Sequence, residues 1–136
     1  MAVISELIRS DADSTLSFGD YTLGAKAKAE LKVGESIYKV KTFKEITKLE
    51  CDEVFVYESV PGTAVTGFSK TEDGVAFSGE GTEDAQVTLE LEEDTEYEIT
   101  IDETSAGTMK TNLGGKLSMN VELADAGAVA IQVTRK

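Results

Sequence analysis

Apolar and polar residues alternate repeatedly between Gln86 and Val133, and this is the clearest pattern in the chain. Successive side chains of a β-strand point to opposite faces, so the alternation predicts strands with one buried face and one face in water. Short runs of Asp, Gly and Asn, which favour turns, separate the alternating pieces. The pattern therefore predicts the sheets of a small β-sandwich.

Turn signals divide the C-terminal half of the chain into a series of short predicted strands. These strands are Val65–Phe68, Val75–Ser78, Val87–Leu91, Tyr97–Ile101, Thr108–Thr111, Leu117–Leu123 and Val129–Val133. A turn about every 8–12 residues is typical of an immunoglobulin-like antiparallel β-sandwich. The chain has one Cys and no Trp, so it lacks the Cys–Trp–Cys core of antibody domains.

Pro61-Gly62 contains the only proline of the chain and predicts a boundary within it. Residues 1–60 are predicted to form a β-rich N-terminal region with an apolar tail. Residues 61–136 are predicted to form the immunoglobulin-like sandwich. The predicted fold class is therefore mainly β, with an antiparallel sandwich in the C-terminal half and a β-rich N-terminal half.

Patterns in the N-terminal half are less regular. Thr15–Phe18 and Tyr21–Leu23 flank Gly19-Asp20, which predicts a tight hairpin. Ser36–Thr42 alternates as a strand does. Ala25–Lys32 alternates small and charged residues, which fits either a strand or a short exposed helix.

The next segment also leaves two interpretations open. Phe43, Ile46 and Leu49 recur every three residues, which favours a helix. The Thr and Lys residues between them equally suit a strand. Val54–Tyr57 then predicts a further strand.

Apolar side chains also gather close to the N-terminus. Val3, Ile4, Leu7 and Ile8 fit a turn and a half of amphipathic helix, or a short strand. Such side chains need a covering surface, which is either the core of the same molecule or a neighbouring copy. These four residues are therefore the candidate assembly contacts.

Charge is strongly acidic and unevenly distributed. The net charge is −13, and residues 71–109 contain 13 carboxylates but no Lys or Arg. Nucleic acid and anionic membrane surfaces are disfavoured as partners, because binding phosphate requires a basic face. The acidic segment predicts a solvated outer face of the sheets.

An alternative interpretation of these carboxylates is a surface for a cation or a basic partner. It would centre on Glu83-Asp84, Glu92–Asp94 and Asp102-Glu103, and calcium is the candidate ion. A separate Asp-x-Asp sequence begins at Asp11. An EF-hand loop that began there would have Leu16 in place of its Gly and Thr22 in place of its Glu, so a polar turn is predicted instead. No cofactor is expected.

Residue content disfavours catalysis. Histidine is absent, so neither the usual acid–base group nor a Cys–His pair with Cys51 is available. A glycosidase needs two converging carboxylates, but Glu90, Glu92, Glu96 and Glu98 alternate with apolar residues and are expected to face water. The chain is predicted not to be an enzyme. With a single Cys, it is predicted to have no intrachain disulfide.

Targeting signals are not evident in the sequence. No stretch approaches the roughly 20 apolar residues of a membrane span, and the N-terminus lacks a basic leader before an apolar core. We therefore expect no membrane insertion and a cytoplasmic location by default. Assembly at the cell surface or outside the cell is the alternative.

Three stretches resemble a group of short bacterial proteins that often carry the label "endosialidase". They are Tyr38–Leu49, Phe55–Val65 and Lys110–Leu117. Sialidase chemistry uses three arginines and a Tyr nucleophile on a much larger propeller. Since this chain has only Arg9 and Arg135, no catalytic residue follows from the resemblance. What the resemblance implies is a tail-fibre or surface-assembly relationship.

Together these patterns predict a non-enzymatic structural subunit that assembles with copies of itself into a filament, fibre or particle. The expected contacts are strand edges and the apolar tail. Two alternatives remain open. One is a glycan- or ligand-binding module that uses the loops Asp102–Gly107 or Asn112–Gly115. The other is the acidic cation-binding surface.

Overall fold

A computed structural model of the chain describes residues 3–4, 6–11, 15–124 and 126–136. The regular structure of these residues is entirely β. The strands are β1 (Ile8–Ser10), β2 (Leu16–Phe18), β3 (Ala27–Val33), β4 (Ser36–Phe43), β5 (Ile46–Cys51), β6 (Val54–Val60), β7 (Ala64–Thr71), β8 (Gly74–Glu80), β9 (Ala85–Glu90), β10 (Glu96–Ile101), β11 (Thr104–Lys110), β12 (Lys116–Val121) and β13 (Val129–Arg135).

These strands form two antiparallel sheets. The seven-stranded sheet has the order β1-β2-β7-β8-β13-β10-β11, and the six-stranded sheet has the order β12-β9-β6-β5-β4-β3. The structure confirms the predicted mainly-β sandwich. Both sheets take strands from each side of Pro61, because β2 pairs with β7 and β6 pairs with β9. The predicted division at residue 60 therefore does not coincide with a division between the sheets.

The predicted hairpin at residues 15–23 is wrong. Thr15–Phe18 contributes β2, but Tyr21 and Thr22 form a turn, and β2 pairs with β1 and β7 instead. Gly19 has a φ of 100° and lies so close to Thr63 that an added Cβ would be 2.3 Å from the Thr63 carbonyl oxygen. The chain therefore leaves this sheet at Gly19 instead of folding back beside β2.

The two ambiguous segments are both strands. Residues 27–33 form β3, so the exposed helix is excluded. The helical interpretation of Phe43, Ile46 and Leu49 is also wrong. Phe43 and Ile46 lie directly opposite each other across the turn between β4 and β5, which produces the three-residue spacing without a helix. The centre of the polar turn predicted after Asp11, residues 12–14, lies outside the described residues.

The core lies between the two sheets and is built around an aromatic cluster. Phe18, Tyr57, Phe68 and Phe77 contact one another with ring centroids 5.3–6.3 Å apart, mostly edge to face. Such pairs contribute about 1 kcal/mol each beyond the area that they bury. Three of these rings come from the seven-stranded sheet, and Tyr57 reaches them from the six-stranded sheet.

Buried hydroxyl groups join the sheets beside this cluster. Thr47 Oγ1 donates to the Thr63 carbonyl oxygen at 2.8 Å and accepts from the Thr63 N–H at 3.0 Å. It also lies 2.8 Å from Thr42 Oγ1. Since the single Thr47 proton goes to Thr63, Thr42 is the donor in this second bond. Thr42 Oγ1 in turn accepts from the Asp20 N–H at 2.9 Å.

A second part of this hydroxyl network surrounds the Thr63 side chain. The Tyr57 and Ser59 hydroxyls each lie 2.8 Å from Thr63 Oγ1. All of these groups are buried, and among the described residues no buried side-chain N or O atom lacks a partner. The network lies where the chain crosses from β6 to β7. Its hydrogen bonds therefore fix the position of one sheet relative to the other at that crossing.

Thr47→Val tests the stabilising role of this network. The substitution keeps the side-chain shape but leaves the Thr63 N–H buried without a partner, so we expect a loss of about 3 kcal/mol in the free energy of unfolding. Denaturant unfolding measures it. Thr88→Val is the matched control, because Thr88 bonds Ser118 on an exposed face, and its cost should stay within about 0.5 kcal/mol. Equal stability of the two variants would contradict the account.

Tyr57 makes the free energy of unfolding depend on pH in the alkaline range. Burial raises the pKa of Tyr57 to about 12, although its bonds to Thr63 and Ser59 act in the opposite direction. The unfolded state, with a tyrosine pKa of about 10, loses this proton first. The free energy of unfolding should therefore fall by up to about 3 kcal/mol between pH 10 and pH 12.

The comparison with Tyr57→Phe isolates this effect. Other titrating groups contribute equally in both proteins, so the wild-type curve should descend towards that of the variant across this pH range. Denaturant unfolding at a series of pH values gives both curves. Parallel curves would show that Tyr57 does not carry the effect.

Candidate assembly surfaces

The apolar tail is joined to the edge of the seven-stranded sheet. The Ile4 N–H donates to the Gly19 carbonyl at 3.1 Å, and the Gly19 N–H donates to the Leu7 carbonyl at 3.0 Å. Ile8 then begins β1 and lies opposite Phe18 of β2. The short-strand interpretation is therefore the correct one for Ile8, and Val3 and Ile4 lie outside regular structure.

The four candidate contacts differ in burial. Ile4 is 1% exposed and Ile8 is 4% exposed, so both are covered by the core of the same molecule. Val3 and Leu7 are half-buried, and Leu7 packs against the core cluster. Of the four side chains, only Val3 and Leu7 thus keep area that a neighbouring molecule can reach.

Asp11 holds the end of the tail. Its Oδ2 accepts from the Ser17 hydroxyl at 2.7 Å and from the Thr15 hydroxyl at 3.2 Å, while Oδ1 accepts from Arg9 Nε at 3.0 Å. The Ser17 bond is the main cause that lowers the pKa of Asp11 below its ordinary value, despite partial desolvation. Because the charged carboxylate of Asp11 accepts these bonds, ionisation of Asp11 stabilises the attachment of the tail to β2.

One lateral end of the sandwich is protected, and we call it the closed end. It is formed by β1 and β3, the edge strands of the two sheets, which lie against each other. β1 has only three residues. β3 carries the exposed charges of Lys28, Glu30 and Lys32. Short strands and charged residues are the usual means by which natural sheets block pairing at an edge.

The opposite lateral end, which we call the open end, is formed by the edge strands β11 and β12. All seven residues of β11 are exposed, and none before Lys110 is charged. An open cleft of about 230 Å³ separates the two edges. Its apolar lining includes Ile99, Ile101, Ala106, Met109 and Met119.

Most of β11 was missed by the sequence pattern. Thr104–Gly107 was predicted as part of a loop, but only Asp102 and Glu103 form the turn, each with a positive φ. Hairpin turns of this kind favour Asn-Gly or Asp-Gly, so Asp-Glu gives no turn signal. The ligand-binding loop proposed for residues 102–107 is therefore mostly strand.

Asn112–Gly115, the second candidate ligand-binding loop, joins β11 of the seven-stranded sheet to β12 of the six-stranded sheet. It is an arch between the sheets. Asn112 Oδ1 accepts from the N–H groups of Gly114 at 2.8 Å and Lys116 at 3.0 Å. Leu113, at the top of this arch, is 80% exposed. The arch therefore leaves an apolar side chain in water.

Carboxylates of the acidic segment serve local structure. Asp84 Oδ1 accepts from the N–H groups of Leu123 and Ala124 at 3.1 Å. Asp102 Oδ1 accepts from the Ala130 N–H at 2.9 Å. Within the described residues, no group of three or more Cys, Asp or Glu side chains is placed to hold a metal ion. As predicted, Glu96 and Glu98 are exposed on the outer face of β10.

A wider cleft of about 730 Å³ opens between the sheets near the C-terminus. Tyr38, Cys51, Phe55, Phe68, Tyr97 and Arg135 are among its lining residues. Burial, followed by the proximity of the Cys51 thiol, raises the pKa of Tyr38. At this cleft Arg135 Nη2 lies 3.6 Å from Glu92 Oε2. The cleft is an apolar space with charged groups at its rim.

Comparisons with models of protein families, with curated proteins and with solved structures gave no match for this chain. Along the described ranges, no helix has the length and apolar character needed to cross a membrane.

Ile8→Ala tests whether the tail belongs to the core of its own molecule. Removing a side chain that is 4% exposed should cost about 3 kcal/mol of unfolding free energy. Val3→Ala, at a half-buried position, should cost about 1 kcal/mol or less, and thermal or denaturant unfolding compares the two. If Ile8→Ala left stability unchanged but weakened self-association, the tail would instead be inserting into a neighbour.

Proposed function

We propose that this protein is a non-enzymatic structural subunit that assembles with copies of itself through the open end of its sandwich. The observation that carries the proposal is β11, an edge strand of seven fully exposed residues with no charge before Lys110. Among the described strands β11 pairs only with β10, so its outer side presents backbone N–H and C=O groups that no described strand pairs. Such an edge is a template on which another strand can pair.

The cleft beside β11 adds an apolar component to this surface. Met109 is 37% exposed and points towards the cleft from β11, while Met119 approaches it from β12. Leu113 extends the apolar surface at the adjoining arch. Methionine side chains adapt their shape readily, which suits a contact that forms on association. A strand added to β11 would cover this area and bury it.

Protection of the other end supports the same interpretation. Since β1 and β3 block the closed end, the two ends of the molecule differ. A contact between two open ends would give a closed dimer, whereas a contact between the open end and a different surface would repeat and build a filament. The second arrangement is the filament, fibre or particle component predicted from the sequence.

Lack of catalytic groups is consistent with this proposal. The chain has no His, and the carboxylates of Asp84 and Asp102 accept backbone hydrogen bonds within turns. A second candidate function, ligand binding, is favoured by the 730 Å³ cleft, whose size is within the range of small-molecule sites. Saturable binding of an apolar probe that is lost in Phe55→Ala would support it.

Met109→Lys tests the open end directly. It places an ammonium group in the apolar cleft, and inward-pointing charges prevent edge pairing in natural sheets. We expect self-association, measured by sedimentation velocity over a range of concentrations, to weaken about tenfold or more. Ser78→Lys is the matched control, because the same charge then lies on the outer face of β8, three strands away from β11.

Two outcomes would contradict the proposed function. One is a wild-type protein that stays monomeric at every concentration and salt level. The other is an equal loss of association in Met109→Lys and Ser78→Lys, which would show that the added charge itself, and not its place in the cleft, determines the effect. Circular dichroism confirms that both variants keep the fold.

A further inference from the structure

Three lysines lie side by side on the outer face of the six-stranded sheet. Lys28 of β3 is directly opposite Lys41 of β4, and Lys41 is directly opposite Lys48 of β5. We call these three residues the lysine row. A shallow depression of about 420 Å³ lies over it, and Glu30, Lys39 and Glu50 line the same depression.

This arrangement is unfavourable within the isolated molecule. Like charges that are directly opposite each other on neighbouring strands destabilise a sheet. Two residues further along the same strands, opposite charges face each other instead. Lys39 of β4 is directly opposite Glu30 of β3 and Glu50 of β5, which is a favourable arrangement.

Intramolecular partners compensate only part of the lysine row. Lys48 Nζ lies 3.8 Å from Glu50 Oε2, and Lys48 is directly opposite Glu58 of β6. Within the part of the chain that the structure describes, Lys28 and Lys41 form no ion pair. Two ammonium groups therefore remain available to an external anion.

The matching negative charge lies at the other end of the same molecule. The lysine row is on β3–β5, at one end of the six-stranded sheet, and the open end is at the other. Glu96 and Glu98 lie on β10, next to β11, and the connection before β10 contains Glu92–Asp94. Glu92 pairs with Arg135 at 3.6 Å and Asp94 with Lys110 at 3.1 Å, so among the described residues Glu93, Glu96 and Glu98 are the carboxylates here without an ion pair. The sandwich is thus basic on its face near the closed end and acidic at its open end.

We propose that the lysine row binds the acidic open end of a second copy of this chain, so that the copies associate head to tail. This inference rests on the proposed function and specifies the surface that meets the carboxylates beside β11, while the backbone edge of β11 remains the template for a strand of the neighbouring copy. Each copy has one surface of each sign, so the contact repeats without closing. Association would relieve the repulsion among the three lysines.

Charge complementarity favours a second copy over an unrelated polyanion. The protein as a whole carries −13 and repels a long polyanion, whereas the acidic end of another copy matches the small basic face. The lysine row also disfavours a contact between the closed ends of two copies. Two β3 edges that met would bring Lys28 and Lys32 close to their own copies, which like-charge repulsion disfavours.

A charge-reversal set tests this partner assignment. The row variant carries Lys28→Glu, Lys41→Glu and Lys48→Glu. The control carries Lys26→Glu, Lys44→Glu and Lys70→Glu, which change the net charge equally but lie outside the row. In sedimentation velocity at about 0.02 M salt, where the Debye length is roughly 20 Å, the row variant should associate about tenfold more weakly than the control.

A mixing experiment tests which surfaces meet. The acid variant carries Glu93→Lys, Glu96→Lys and Glu98→Lys, all at exposed positions. Alone, the row variant and the acid variant should each associate weakly. Mixed in equal amounts they should associate again, because each then supplies the charge that the other lacks. About 0.5 M salt, with a Debye length of about 4 Å, should abolish this recovery.

Each alternative outcome overturns the inference. If the row variant associates as well as the control while Met109→Lys does not, the open end assembles but on another surface, and the proposed function stands. If polyphosphate binds the wild type and not the row variant while self-association is unchanged, the row is a polyanion site. If the wild type is monomeric under all conditions, the proposed function fails together with the inference.

Discussion

The Thr47 hydroxyl bonds both the N–H and the carbonyl of Thr63, and the arrangement of the two sheets depends on this contact. Thr47 belongs to the six-stranded sheet, and Thr63 lies just before the first residue of β7 in the other sheet. Tyr57, Ser59 and Thr42 complete the group of buried hydroxyls around it. The network fixes the position of β7 relative to β6. The positions of β2 and β8 follow, because both strands pair with β7.

Two different ends follow from that arrangement. Because β2 pairs with β7, the tail before it is carried to the edge of the seven-stranded sheet, where β1 lies against β3. At the other side the chain crosses between sheets through the arch at Asn112–Gly115, which separates β11 from β12. The arch leaves a gap there that no other described segment fills. Ends that differ in edge protection and in charge are the physical basis of the proposed head-to-tail association.

Much of the fold was predictable from the sequence where one face of a strand is buried. Residues 86–90 and 97–101 alternate strictly, residues 129–133 alternate except at Ala130, and each segment lies within a strand of the structure. Prediction failed where a contact distant in sequence determines the local conformation. The helical spacing of Phe43 and Ile46 arises from pairing across a turn, and Gly19 is held by its proximity to Thr63.

The candidate surfaces were less predictable for the same reason. A pattern within one strand cannot give the register between strands, so the alignment of Lys28, Lys41 and Lys48 becomes visible only in the folded sheet. The exposed strand at residues 104–107 has almost no apolar alternation to mark it. The apolar tail was recognised, but whether its own molecule covers it depends on the pairing of β1 with β2.

Amide hydrogen exchange of the open end, measured at low and at high protein concentration, tests the central claim most directly. A backbone edge that pairs with another molecule gains hydrogen bonds, and its amides then exchange more slowly. The account predicts protection that increases with concentration in Thr104–Lys110, while exchange in β1 and β2 stays constant. Equal exchange of Thr104–Lys110 at all concentrations, or protection that grows only elsewhere, would contradict it.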